Sequence, residues 1–508
     1  MRPASNKLVP VLLFLAILLS FSGALRSPFQ WDDGTAITRN ESIRDLSNVP
    51  SFLTSVKTFS ADGEKDIYRP LRTAIRALEY RAWGLDPAGY HAVNLIFHFG
   101  ATWLLHGITL LLSGSGFTAV LCALLFALAP AHVESVTYIS GGDDCVSGFF
   151  FLSALLVYAK RRIEGDAPFS LGLKVPALFV LALLAKEMSI TFPFLVFLLD
   201  YYFFSNNGSL ASRAKSVYLP LLALAAAYFL ARGLIVGSVT QIHYGAFGGA
   251  YPLFCTMAVG LAYYVKLLVL PINLCVDYMA FPRFFSLLHP MVLFSLSVLF
   301  FLFFVVYKLR DALPLASFGL AFFLIALLPV SQILPVKILI AERFLYIPSA
   351  GFFLFAAAVL GMAREKIPAR RVLLTSFLAL LFLFNGCLAF YRNSVWTSDL
   401  DLWADAVKKY PANSRAHSNL GTAYLTRGNR TRAIIEYEKS LDSLSSGGTD
   451  WNNLGVIYAE MGLYEKALEK FKLEQKNSPS AYARKMAGEN IRMLKEKIGS
   501  AKKIRDQE

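Results

Sequence analysis

The chain has 508 residues, of which 56% are hydrophobic and 17% charged, and its formal net charge is +14. Ordinary soluble domains are roughly 45–50% apolar and about 25% charged, so this composition excludes a chain that is soluble throughout. Nucleic acid is not indicated as a partner, because many Lys and Arg residues lie in short connections between apolar segments, as in membrane proteins. The five cysteines have no paired spacing and indicate neither a disulfide framework nor a zinc site.

Apolar segments follow one another through the first 390 residues. The first, residues 8–25, follows a basic start and is predicted to be a retained membrane helix, with a cleaved signal peptide as the alternative. A bilayer requires about 17 to 25 apolar residues per helix. The other candidates lie near 90–112, 117–135, 144–159, 171–186, 188–204, 216–236, 251–273, 288–307, 312–330, 344–362 and 371–390.

Basic connections predict the topology, because they concentrate on the cytoplasmic side. They lie at residues 160–162, 213–215, 308–310 and 364–371. Three candidate spans lie between Lys215 and Lys308, yet two cytoplasmic points must be joined by an even number of crossings. One candidate is therefore predicted to be re-entrant, or a fourth is hidden, with the irregularity at 237–251. About eleven spans result.

With the N-terminus in the cytoplasm, five polar stretches fall on the opposite face of the membrane. Ionisable groups near a membrane are costly and usually face a cavity or a partner, so their accumulation predicts a functional site. The stretches are residues 26–89, 134–144, 186–187, 273–289 and 331–343.

The first stretch opens with the adjacent carboxylates Asp32 and Asp33. Their repulsion can raise one pKa and leave a base near neutrality, whereas the alternative is an ordinary solvated loop start. Farther on, Arg69 precedes an apolar-periodic segment that includes Leu71 and Leu78. That pattern predicts an amphipathic helix on the membrane, of the kind that can frame lateral access for a lipid.

The later stretches supply the other candidate residues. His132, Glu134 and Asp144 could hold a divalent metal or orient a hydroxyl, with helix capping as the alternative. A guanidinium at Arg343 has the shape to bind a phosphate, and an ion pair with its neighbour is the alternative. Lys186 and Glu187 are predicted to form a local ion pair. Glu342 and Tyr346 complete the set.

The tail repeats itself at a shift of 34 residues. This shift superposes residues 419–421 on 453–455 and places Ala433 on Ala467. The period and pattern match the tetratricopeptide repeat. Helices are predicted at 399–410, as part of a degenerate first repeat, and at 481–498, as a cap. Such arrays usually bind peptides or proteins, and a lid or spacer on the membrane region is the alternative.

The chain resembles the tetratricopeptide-repeat transmembrane O-mannosyltransferases and their bacterial relatives. The resemblance rests on FQWDDGTAITRN, YRPLRT, GLDPAGYHAVNLIFH, PAHVESVTYISG, LLAKEMSITFPFLVFLLDYY, LPINLCVDY and AERFLYIPSAGF, followed by LWADAVKKYPANSRAHSNLG. It implies the type C glycosyltransferase fold, a catalytic acid in the first outer loop and a polyprenyl-phosphate sugar donor. The matching motif residues are Asp32, Asp33, Arg69, His132, Glu134, Lys186, Glu187, Glu342, Arg343 and Tyr346. Where that family typically has Gly-Arg-Ala-Asp, this chain has Gly141-Gly142-Asp143-Asp144.

Together these patterns predict an all-α protein: a polytopic membrane bundle over 1–392, with its first outer loop at 26–89, a repeat α-solenoid over 393–500 and a charged tail over 501–508. The expected function is the transfer of a mannose-like sugar from polyprenyl phosphate to a hydroxyl of a protein or glycan. Asp32 and Asp33 are the candidate catalytic residues, and Arg343 with Arg69 the candidate phosphate ligands. No cofactor is firmly indicated, and a divalent metal is the candidate. The site and the repeats are expected on the non-cytoplasmic side of a bacterial inner membrane or of the endoplasmic reticulum. A flippase or transporter of a lipid-linked precursor and a non-enzymatic scaffold are the alternatives.

Overall fold

A computed structural model of the chain describes residues 7–61, 67–164, 172–205, 210–237, 247–367, 369, 371–442, 450–478 and 480–505. The chain divides into two compact units. We call residues 1–274 with 282–397 the membrane body, and residues 275–281 with 398–508 the repeat unit. The described residues form helices and no strand, which confirms the all-α prediction.

Long helices account for most of the membrane body. They are α1 Leu8–Phe21, α2 Pro70–Trp83, α3 Pro87–Ser113, α4 Gly116–Ala127, α5 Asp143–Glu164, α6 Lys174–Ala185, α7 Phe192–Phe203, α8 Leu219–Val236, α9 Ala250–Val269, α10 Pro290–Ala312, α11 Pro314–Ala326, α12 Tyr346–Lys366 and α13 Arg371–Ser394. Short helices at Val49–Phe52, Val133–Val136 and Leu210–Arg213 lie in the connections.

Eight helical segments among the described residues are long and apolar enough to cross a membrane. They are Leu8–Arg26, Pro87–Ser113, Ser140–Glu164, Leu210–Val236, Ala250–Val269, Pro290–Ala312, Glu342–Lys366 and Arg371–Thr397. A ninth results if Gly116–Ala127 and Pro130–Val136, bent by 50°, count as one span. The shorter apolar helices Lys174–Ala185 and Pro314–Val330 remain outside that count. The polytopic character is confirmed, and the count of eleven stays a prediction.

The predicted irregularity between α8 and α10 is only partly covered by the structure. All three helices of this region, α8, α9 and α10, belong to segments long and apolar enough to span. Of the suspected stretch 237–251, residues 238–246 lie outside the described residues. The described helices therefore single out none of the three as re-entrant.

Helix α2 is amphipathic as predicted, but its charged face is turned into the protein. Leu78 on the apolar face is 58% exposed, whereas Arg72 and Arg76 are 0% exposed. Both arginines donate to Asp143, and Arg72 also donates to Glu79 at 3.1 Å. Burial of charge requires such pairing, because an isolated ion incurs a large desolvation penalty. This helix therefore carries charges to the interior of the membrane body.

The repeat unit has the predicted helix pairs. α14 Asp399–Lys409 comes first, α15 Ser414–Thr426 pairs with α16 Arg430–Leu441, and α17 Asp450–Glu460 pairs with α18 Tyr464–Asn477. The last helix, α19 Ala481–Arg505, is longer than the predicted cap and takes in most of the predicted charged tail; residues 506–508 lie outside the described residues.

Small residues bring the paired helices together. A Cβ at Gly455 would lie 2.5 Å from the ring of Phe471, and Ala433 and Ala467 are fully buried. These positions match one another when the tail is compared with itself at a shift of 34 residues. The close packing of the paired helices therefore explains the repeat pattern.

Residues 275–281 belong to the repeat unit, although they lie far upstream in the sequence. The ring of Tyr278 packs against that of Tyr410 at 5.6 Å between centroids. Asn413 donates to the backbone carbonyl of Asp277 at 3.2 Å, and the Asp277 carboxylate lies 3.6 Å from the guanidinium of Arg415. The predicted boundary at 392/393 therefore differs from the observed one, which lies after Thr397 and includes this segment.

Candidate functional site

A cavity of about 200 Å³ lies in the membrane body. Its walls come from four of the five polar stretches identified in the sequence, and the stretch 273–289 is not among them. Five of the predicted site residues line it: Asp32, Arg69, Lys186, Glu187 and Arg343. Residues from distant parts of the chain thus meet at one hollow, as the sequence interpretation required.

Aromatic stacking fixes the start of the first polar stretch. Trp31 has a left-handed backbone, with φ of 50°, which is uncommon for a residue other than glycine. Its ring stacks on Tyr138 at 5.7 Å, and Tyr138 stacks on Trp396 at 5.4 Å. The backbone N–H of Asp32 donates to the Tyr138 hydroxyl at 3.2 Å. These contacts hold Asp32 at the cavity wall.

Asp33 is only 1% exposed and is not among the residues that line the cavity. Its carboxylate accepts hydrogen bonds from the backbone N–H and the hydroxyl of Ser140, at 2.9 and 2.5 Å, and from the backbone N–H of Gln30 at 3.0 Å. Burial raises the pKa of Asp33 to about 6, against the opposing effect of these hydrogen bonds and of the Arg76 charge. The two adjacent acids therefore have different surroundings.

The guanidinium of Arg69 is held by two carboxylates. Two of its nitrogens donate to Glu187 at 3.2 and 2.8 Å, and the third donates to Asp143 at 2.9 Å. Burial by itself would raise the pKa of Glu187, but the Arg69 charge outweighs it and holds this pKa at about 2. Every guanidinium nitrogen of Arg69 thus has a carboxylate partner.

Lys186 and Glu187 do not form the local ion pair that the sequence suggested. The Lys186 ammonium donates to both oxygens of Asp144 at 2.6 Å, whereas Glu187 binds Arg69. Lys186 has an extended backbone, with φ −160° and ψ 134°, and successive side chains of an extended chain point in opposite directions. The adjacent charges therefore reach different partners.

Arg343 pairs with Glu134, and not with its neighbour Glu342. Its backbone N–H donates to one Glu134 oxygen at 2.9 Å, and its guanidinium binds the other. The Arg343 side chain is 15% exposed and lines the cavity. This pairing fixes the guanidinium and leaves part of it open to a ligand.

Six predicted site residues are not among those that line the cavity: Asp33, His132, Glu134, Asp144, Glu342 and Tyr346. His132 is fully buried and bonds the Ser349 hydroxyl at 2.8 Å, while the Tyr346 hydroxyl bonds His98 at 2.9 Å. The His132 and Tyr346 rings lie 4.9 Å apart. Glu342 is 1% exposed. The structure thus places His132 and Tyr346 in a buried ring cluster.

No three His, Cys, Asp or Glu side chains within the described ranges converge as metal ligands. The acids predicted as metal ligands bind cations of the protein instead: Glu134 binds Arg343, and Asp144 binds Lys186. The divalent metal considered from the sequence has no assembled ligand set in this part of the chain.

Sequence reasoning missed several residues of the cavity. Arg76, Tyr138, Ser140, Asp143 and Lys337 line it. One signal was available, because Arg72, Arg76 and Glu79 lie at helical spacing on one face of α2.

The departure at residues 141–144 has a structural basis. A Cβ at Gly142 would lie 2.0 Å from the side-chain oxygen of Asn94, so an arginine there would require Asn94 to move. Its neighbour Asp143 accepts hydrogen bonds from three arginines of the first polar stretch: Arg69, Arg72 and Arg76.

These observations define a class: a polytopic helical membrane protein with a cavity of paired carboxylates and cations, joined to tetratricopeptide repeats. The chain is similar to several protein O-mannosyl-transferases, which confirms the resemblance. It is 25% identical over 432 residues to one from Caenorhabditis elegans, covering 80% of this chain and 59% of that protein. It is 26% identical over 480 residues to human TMTC4 (83% and 64%) and 27% identical over 508 to human TMTC1 (88% and 56%).

The chain spans between 56% and 64% of the length of these three relatives. No family model matches it, and no solved structure matches it.

Proposed function

We propose that this chain is a membrane glycosyltransferase that transfers mannose, or a similar sugar, from a polyprenyl-phosphate donor to a hydroxyl of an acceptor protein or glycan. The names of its relatives support sugar transfer to protein. The observation that carries the proposal is that Asp32 and Arg343 line one cavity. A base and an anion-binding group in one hollow are what such a transfer requires.

The proposed reaction is an inverting displacement. The Asp32 carboxylate takes the proton of the acceptor hydroxyl, whose oxygen then attacks the anomeric carbon of the sugar. The bond from that carbon to the phosphate oxygen breaks, and its electron pair remains on the polyprenyl phosphate. Arg343 stabilises the charge that develops there. Asp33, with its carboxylate bound to Ser140 and Gln30, holds the loop that presents Asp32.

Three cations of the cavity can bind the donor phosphate. Arg343 and Lys186 are paired with Glu134 and Asp144, and Lys337 adds a third positive charge. Arg69, the second predicted phosphate ligand, already donates to carboxylates through all three nitrogens, so we assign it to positioning Glu187 and Asp143.

A lipid-linked donor also fits a second cavity of the membrane body. It has a volume of about 320 Å³ and mostly apolar walls from α9, α10 and residues 328–333. Residues 336–338, a few positions farther along the same segment, line the polar cavity. We propose that the polyprenyl chain lies in the apolar cavity while its phosphate reaches Arg343.

We further propose that the polar cavity opens to the non-cytoplasmic side and that the repeats lie on that side. The basic connections of the sequence support this orientation. The membrane is that of the endoplasmic reticulum in a eukaryote or the inner membrane in a bacterium. The repeats would engage the acceptor protein, because such arrays bind peptides.

Asp32→Asn tests the mechanism. With purified protein and radiolabelled polyprenyl-phosphate mannose, we expect transfer to fall by about 10²- to 10⁴-fold, the usual contribution of a general base. Glu41→Gln, at an exposed carboxylate of the same polar stretch, should transfer at the wild-type rate. Full activity of the Asp32→Asn variant would exclude Asp32 as the base. Failure of the wild type to transfer sugar from any polyprenyl-phosphate donor would favour the transporter alternative.

A further inference from the structure

The guanidinium of Arg76 is buried with unsatisfied hydrogen-bond donors. The residue is 0% exposed, and its only hydrogen bond in the described part of the chain runs from Nη2 to Asp143 at 3.2 Å. Its Nε and Nη1 atoms have no partner there. The ring of Phe59 covers the guanidinium at 4.9 Å. Because a buried donor without an acceptor costs about 1–3 kcal/mol, such groups require an explanation.

Two other cations of the cavity wall differ in this respect. Arg69 donates to Glu187 and Asp143 through all its guanidinium nitrogens, and Lys186 donates to both oxygens of Asp144. Arg76 lines the same cavity. A ligand in the cavity can therefore supply acceptors for its Nε and Nη1.

The charge around Arg76 determines which ligand group fits. Arg69, Arg72 and Arg76 are balanced by the three carboxylates of Glu79, Asp143 and Glu187. Asp32 lines the same cavity, and Asp33 lies close enough to Arg76 for their charges to interact. A second anion at this place would meet an excess of negative charge. Neutral oxygen atoms, such as those of hydroxyl groups, can accept the two hydrogen bonds without that repulsion.

We infer that Arg76 is a specificity-determining residue that donates through Nε and Nη1 to hydroxyl oxygens of the donor sugar. The inference rests on the proposed function, in which the sugar lies between the carboxylate of Asp32 and the phosphate at Arg343. A fixed, fully buried donor pair distinguishes sugars by the presence and position of their hydroxyls, because a missing acceptor leaves the buried donors unpaired.

The test compares two lipids: polyprenyl-phosphate mannose and polyprenyl phosphate without sugar. Binding of each to the full-length protein in lipid nanodiscs is measured by calorimetry for the wild type, Arg76→Gln and Arg76→Lys. We expect both variants to lose about tenfold in affinity for the sugar-bearing lipid, the usual contribution of a charge-assisted hydrogen bond, and to bind the bare lipid as the wild type does. Arg343→Gln should weaken the binding of both lipids.

Arg81→Gln is the matched control, since Arg81 is an exposed arginine of the same helix. Equal loss of affinity for both lipids in the Arg76 variants would make Arg76 a phosphate ligand and overturn the inference, as would unchanged affinity for both. If Arg76→Gln does not fold, the inference is tested with Arg76→Lys and with donor lipids that lack one sugar hydroxyl. The inference requires that one of these donors binds the wild type less tightly than the complete donor does. The same donor must bind Arg76→Lys as tightly as it binds the wild type.

Failure of the inference is separable from failure of the proposed function. Binding does not require transfer, so an active Asp32→Asn variant would overturn the mechanism and leave the binding comparison valid. A wild type that binds neither lipid would instead remove the donor class, and the assignment of Arg76 with it.

Discussion

Adjacent acids at residues 32 and 33 show how strongly burial separates two chemically identical side chains. Asp32 lines the cavity, whereas Asp33 is buried among hydrogen-bond donors and its pKa is raised to about 6. The sequence predicted that one acid of the pair would have a raised pKa. It could not assign the acid, because the assignment depends on Ser140, which lies more than a hundred positions downstream.

The raised pKa of Asp33 predicts a pH dependence of stability. Because the pKa is about 6 in the folded protein and 3.8 for an unperturbed aspartate of the unfolded chain, protonation favours the folded state as the pH falls through 6. Between about pH 8 and pH 5 the wild type should gain about 1 kcal/mol in unfolding free energy relative to Asp33→Asn. Melting temperatures of both proteins in detergent across this range provide the measurement. A difference that does not change with pH would contradict the assignment.

Gly142 supports a second prediction at this scale. Alanine at this position would place its Cβ 2.0 Å from Asn94, whose amide also donates to the carbonyl of Val136. We expect Gly142→Ala to lower stability by about 1–3 kcal/mol, the usual cost of overpacking. Gly116→Ala is the control, because no atom lies within 4 Å of the added Cβ. Equal melting temperatures of the two variants would show that Asn94 moves aside without cost.

Among the helices, α2 shows most clearly where the sequence pattern and the structure differ. Periodicity correctly predicted an amphipathic helix, because apolar and polar residues alternate at helical spacing. It could not reveal that Arg72 and Arg76 are buried, since a charged stripe ordinarily indicates a solvated face. Burial of this stripe depends on the position of Asp143 on another helix, where its carboxylate accepts from both arginines.

Asp143→Asn should therefore destabilise the membrane body strongly. The change leaves buried guanidiniums without their shared carboxylate, and loss of one partner of a buried pair costs about 3–5 kcal/mol. Thermal unfolding in detergent measures the effect. Asp311→Asn removes a carboxylate from an exposed pair with Arg310 and should leave the melting temperature unchanged. If both variants have the melting temperature of the wild type, Asp143 does not hold α2 in place.

At the scale of the whole molecule, the sequence predicted the two parts of the chain from composition and period. Apolar runs identified the membrane body, and the shift of 34 residues identified the repeat helices. It did not predict that residues 275–281 belong to the repeat unit. Their contacts depend on tertiary packing, and a seven-residue segment without a period has no signal that composition or spacing can detect.

Tyr278→Ala in the full-length protein tests the role of this segment. Loss of the ring against Tyr410 should reduce protection from hydrogen exchange in α14 and α15. Leu288→Ala, at a side chain that is 81% exposed, should leave this protection unchanged. Identical exchange in α14 and α15 for Tyr278→Ala and the wild type would show that the segment does not stabilise the array.

The proposed orientation is tested by labelling single cysteines in sealed membrane vesicles. In a chain with its native cysteines replaced by serine, Lys366→Cys lies in a connection predicted to be cytoplasmic and Lys472→Cys lies in the repeats. A membrane-impermeant maleimide added to the cytoplasmic side should label the first, and should reach the second only after permeabilisation. Equal labelling of both before permeabilisation would contradict the orientation.

The origin of the repeat unit from two separate stretches has a consequence for how such proteins can be recombined. A tail cut at residue 398 leaves behind Asp277 and Tyr278, which contact Asn413 and Tyr410. Exchange of tails between relatives would therefore have to carry the upstream heptapeptide along, or supply matching side chains in the recipient. Gene fusion at a single junction would yield a chimera in which Tyr410 and Asn413 lack these partners.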